Sequence, residues 1–136
     1  MRSEESVFRS VPGSSGREWL SQIAASLADA WESAPFVPED DRLMFELAVL
    51  EVAGNIVVHS VPTPTWYLFE LDINRQRLAG VLKDNAGRAA ASLDTARMPD
   101  ETAEGGRGLA LAKAALDVLQ YDGATGNCWT LVRLRD

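Results

Sequence analysis

The feature that most constrains this chain is the alternation from Thr65 to Ile73, which puts Tyr67, Phe69, Leu71 and Ile73 on one side. A period of two demands a strand with one buried face, because a slip of one residue would carry the whole set to solvent. Arg77 to Asp84 reads as a second strand and Asn74-Arg75-Gln76 as the turn between them, which predicts an antiparallel hairpin. A lone hairpin is marginal in water, so other segments must cover its apolar face.

Those segments lie on both sides of it. Leu20, Ile23, Leu27 and Trp31 recur at helical spacing after a start near Ser14 or Ser15, and Pro35 and Pro38 close that helix. Glu39, Asp40 and Asp41 place negative charge where a second helix would begin. That helix carries Leu43, Leu47, Leu50, Gly54 and Val58 and is expected to end near His59-Ser60. Val7 to Val11 predicts a first strand, Gly108 to Leu119 a third helix, and Asn127 to Arg135 a terminal strand after the turn at Asp122-Gly123. Ala86 to Gly106 shows no period, and connections of about 20 residues are usually functional lids or disordered.

The expected fold class is α/β (α+β): a two-layer sandwich whose mixed, mostly antiparallel sheet is covered on one face by about three helices. One domain over residues 1–136 accounts for the length. Trp66, Leu68 and Trp129 are candidates for the uncovered sheet face, which a second copy of the chain could cover.

Composition narrows the function. The formal net charge of -7 would repel nucleic-acid phosphate, so a direct nucleic-acid partner is not expected. The acidic surface suits a partner with a basic face. One cysteine, Cys128, excludes an internal disulfide and fits a cytoplasmic protein. No apolar run approaches the roughly 20 residues that span a bilayer, so no membrane partner is expected.

Three polar clusters could carry chemistry. Glu51 and Asn55 project from the same face of the second helix, where an amide oxygen can ligate magnesium and a carboxylate can accept a proton. Taken alone, an exposed polar stripe is the commoner reading of such a pair. Gly105-Gly106-Arg107-Gly108-Leu109 opens a helix, and glycines there let backbone N–H groups approach an anion. A hinge is the competing reading. Asp84, followed by Asn85-Ala86-Gly87, ends a strand with a carboxylate that could receive a purine amino group, or that simply leads a turn. His59 reads as a partner of the helix dipole and Cys128 as a small apolar strand residue.

In this order, Glu51-Val-Ala-Gly-Asn55, Asp84-Asn-Ala-Gly87 and Gly105-Gly-Arg-Gly108-Leu109 resemble the N, G1 and G2 boxes of the GHKL ATPase superfamily. The resemblance covers nearly the whole chain and is strongest to the anti-sigma factor serine/threonine kinases of bacteria. It implies the Bergerat ATP-binding fold, with ATP and magnesium as cofactors. Asn55 would ligate the metal, and Glu51 would be the general base for a partner's serine or threonine. Asp84, with Gly87, would read adenine, and Thr130 would join it through water. Gly106, Arg107, Gly108 and Leu109 would hold phosphates, and a lid would span about 88–105. The implied partners are a sigma factor, an anti-anti-sigma (STAS) protein and a second copy of the chain. The family's G1 box usually reads Asp-x-Gly-x-Gly, whereas Ala86 and Arg88 stand here. That departure leaves open an alternative: a non-catalytic GHKL-fold module acting by protein–protein interaction.

Overall fold

The computed structural model describes residues 6–60, 62–86, 104–124 and 126–135, and only the backbone over 104–107. Along the chain run β1 (Val7–Gly13), α1 (Gly16–Ser33), α2 (Glu39–His59), β2 (Tyr67–Ile73), β3 (Arg77–Asp84), α3 (Glu104–Ala115), β4 (Val118–Asp122) and β5 (Asn127–Leu134). The five strands form one sheet in the order β1-β2-β3-β5-β4. Each strand pairing is antiparallel. Among the described residues the sheet is therefore antiparallel throughout, where a mixed one is expected from the sequence.

The hairpin forms as its sequence requires. Asn74 turns the chain by accepting the N–H groups of Gln76 and Arg77 on Oδ1, at 2.8 and 2.9 Å. The resulting register sets Ile73 opposite Leu78 and Tyr67 opposite Asp84. Tyr67, Phe69, Leu71 and Ile73 are all buried, so the alternation reports the core face faithfully. Each fully buried side chain of this size contributes about 1.5–3 kcal/mol of apolar transfer free energy. Gly80 lies where a Cβ would press to 3.1 Å from Phe69 and 3.4 Å from Phe45, so its missing side chain makes room for two rings between sheet and helix.

α1 anchors through Trp19, which is fully buried, donates Nε1–H to the Val11 carbonyl at 2.9 Å, and stacks on Tyr67 at 4.7 Å. α2 lies on the same sheet face, but on a different stripe from the one expected. Phe45, Ala48, Val49, Val52, Ala53 and Ile56 are buried, whereas Leu43 and Val58 are 65% and 72% exposed. Two apolar stripes interleave on this helix, so periodicity alone could not choose between them.

Three further expectations are corrected. The third helix spans Glu104–Ala115, so the glycine turn is its first turns, and Leu119 belongs to β4. Glycine propensity argued for a turn, but helix packing overrides propensity here. Trp129 faces the helices rather than the open face, because it shares the register of buried Leu82. Arg133 closes the layer from β5, donating to Asp41 Oδ1 at 2.9 Å and to the Ala115 carbonyl at 2.7 Å. A cation on the last carbonyls of α3 suits the negative end of that helix.

Candidate functional site

α2 and α3 enclose the first part of the site. Leu50, Glu51, Gly54, Asn55, Val58 and His59 line a cleft of about 200 Å³ together with Gly108. The spacing of Glu51 and Asn55 on one helix face does bring both into that cleft, half-buried. Gly54 opens it further, since a Cβ there would meet nothing within 4 Å. Gly108 is buried and lies directly against Glu51, whose Oε1 occupies the space a Cβ would take. The third-box glycine is therefore what allows a carboxylate between two packed helices.

Because α3 begins at Glu104, its free backbone donors are those of residues 104–107. Gly106 and Arg107 keep N–H groups that an anion could use. The N–H of Leu109 falls within the helical ladder and its side chain is buried in the core, so Leu109 is structural. Gly87, and residues 88–103 of the lid expected over about 88–105, lie outside the described residues, while residues 104 and 105 open α3 instead.

Asp84 forms the second part. It ends β3, is 1% exposed, and has Oδ1 saturated by the Ala86 N–H at 2.8 Å and the Asn127 Nδ2 at 2.9 Å. Its Oδ2 is buried without a hydrogen-bond partner. A lone acceptor in such a place costs roughly 1–3 kcal/mol unless a ligand or water supplies a donor. Asp84 also helps hold the buried Tyr67 phenol above its ordinary pKa, after the larger effect of burial. Ala86 is buried, and no described non-glycine residue has positive φ, so alanine is accommodated without backbone strain.

Thr130 is not part of this group. It pairs with Val81 and Gln120 on the opposite sheet face, lining a separate hollow with Gln120, Tyr121, Asp122 and Cys128. The residue beside Asp84 is Asn127, which sequence reading missed. It is buried and belongs to no sequence motif, and only the β3–β5 register, which sets it opposite Asp84, reveals it.

The residues present fit a magnesium nucleotide. No cluster of three His, Cys, Asp or Glu side chains among the described residues could cage a metal. Magnesium would therefore take Asn55 and complete its shell from phosphate and water, as it commonly does. The unpartnered Asp84 Oδ2 suits an amino donor, and the start of α3 suits phosphate. No helix among the described residues is long and apolar enough to cross a membrane.

Comparison with known proteins agrees with this geometry. The family model for the histidine kinase-like ATPase domain matches residues 17–133, which takes in all three boxes. No match was found among curated proteins. With that match over most of its length, the chain belongs to the histidine kinase-like ATPase domain family, the ATP-binding fold of the GHKL superfamily.

Proposed function

We propose that this protein is an anti-sigma factor and an ATP-dependent serine/threonine kinase acting on an anti-anti-sigma (STAS) partner. The observation that carries the reading is the half-buried Glu51 carboxylate held against Gly108, one helical turn from Asn55 and beside the free N–H groups of α3. In that place Glu51 accepts the proton of an attacking hydroxyl, while the helix start and Asn55 hold the phosphate end of the nucleotide. ATP supplies the γ-phosphoryl group, which passes to the serine oxygen as ADP leaves. Transfer of this kind depends mainly on positioning and charge neutralisation.

The choice of partner rests on the resemblance of the boxes to anti-sigma factor kinases, and the acidic surface is compatible with basic sigma segments. A homodimer would cover Phe8 and Leu134, which are exposed on the open sheet. Incubation with labelled ATP, magnesium and candidate STAS proteins tests the proposal. Label on a partner serine that vanishes in Glu51→Ala supports it. ATP binding without transfer to any partner would favour the non-catalytic module, and undetectable binding at millimolar ATP would sink the enzyme.

A further inference from the structure

The end of the sheet holds a relay that reaches the boxed Asp84 through Tyr121 and Asn127, two side chains that no box of the family pattern includes. Tyr121 on β4 donates its hydroxyl to Asn127 Oδ1 on β5. Asn127 in turn donates Nδ2 to Asp84 Oδ1 on β3 at 2.9 Å. Chemistry fixes the direction of this chain. A carboxylate only accepts, so the amide must present its NH₂ group to Asp84, and its oxygen is then left facing Tyr121 as an acceptor. Tyr121 is itself held by packing on Trp129, with ring centroids 4.8 Å apart.

The consequence lies at Asp84. Two donors, Asn127 Nδ2 and the Ala86 N–H, meet on Oδ1 and stop the carboxylate from rotating, which leaves Oδ2 as the unpartnered atom. We infer that Asn127 is a positioning residue for base recognition, which fixes Asp84 so that Oδ2 meets the exocyclic amino group of a 6-aminopurine. Tyr121 sets the orientation of Asn127 and acts one step further out. Neither residue needs to touch the nucleotide. The inference rests on the reading of this domain as an adenine-nucleotide site.

The test compares ATP with purine riboside triphosphate, which has the same ring and phosphates but no amino group. Equilibrium binding of each is measured for the native chain, Asn127→Ala and Tyr121→Phe, with thermal unfolding as the control for folding. The native chain should prefer ATP. Asn127→Ala should weaken ATP by about tenfold and leave the analogue unchanged, because only the amino-group contact loses its fixed acceptor. Tyr121→Phe should act in the same direction and by less, about threefold, and it decides the matter if Asn127→Ala does not fold. A parallel loss for both nucleotides would make Asn127 merely structural and overturn the inference, as would ATP binding unchanged in both variants. A native chain that binds both nucleotides equally would overturn the reading of Oδ2 alone, and one that binds neither would overturn the nucleotide site as well.

Discussion

Gly108 of α3 and Glu51 of α2 meet so closely that the carboxylate stands where a glycine Cβ would be. The atom in the way, Oε1, is the end of a flexible side chain, so a methyl group would turn the carboxylate aside without moving backbone. Alanine also gains about 0.5–1 kcal/mol over glycine inside a helix. Gly108→Ala is therefore expected to leave Tm unchanged or raise it, while phosphoryl transfer falls by about a hundredfold, the scale of a small misplacement in a reacting pair. Parallel thermal unfolding and transfer assays check this. Loss of stability together with activity would make Gly108 a packing residue only.

A second glycine is expected to behave oppositely. A Cβ on Gly13 would meet Trp19 Cδ1 at 2.8 Å and Trp19 Cβ at 2.9 Å. Trp19 has little freedom to withdraw, being buried, hydrogen-bonded to Val11 and stacked on Tyr67. Gly13→Ala should cost about 1–3 kcal/mol, as overpacking does. Denaturant titration measures it, and an unchanged midpoint would show that α1 can shift on the sheet.

Burial, and behind it the charge of Asp84, raises the pKa of Tyr67. The folded state then favours the neutral phenol, so its contribution is complete below the unfolded value of about 10 and is lost as pH rises through the folded value. Tyrosinate absorbance of the native chain minus that of Tyr67→Phe should show a midpoint above 10. In Asp84→Asn the midpoint should fall while staying above the ordinary value, since burial remains. A native midpoint at the ordinary value would contradict the buried placement of this ring.

Much of this arrangement was legible in the sequence, because period and chain order are local. The alternation at Tyr67–Ile73 marked the buried sheet face, and Glu51 with Asn55 shared a helix face and therefore a cleft. What stayed hidden depended on contacts between distant segments. The start of α3 could not be read because glycine propensity argues for a turn at positions where the helix, packed on α2, has already begun. The resemblance implies Thr130 on the adenine side and the sequence offers Trp129 for the open face, and the β3–β5 register reverses both. The same register brings Asn127 to Asp84 across 43 positions of sequence, a distance at which no local pattern operates.

The two polar residues of α2 should fail in different ways. Glu51 stands against Gly108, and in its proposed role as proton acceptor Glu51→Gln keeps shape and hydrogen-bonding capacity but removes the basic oxygen. ATP affinity should then stay within about threefold of native while the rate of transfer falls by about a hundredfold or more, the usual scale for a general base. In its proposed role as the magnesium ligand, Asn55 makes a clear demand: Asn55→Ala should weaken ATP binding by about tenfold or more, measured with magnesium present. Chelating the metal should weaken ATP binding by the native chain in the same way and change little in Asn55→Ala, because the ligand it depends on is already gone. Equal losses of affinity in both variants would mean that Glu51 and Asn55 share one binding role, leaving the cleft without a base.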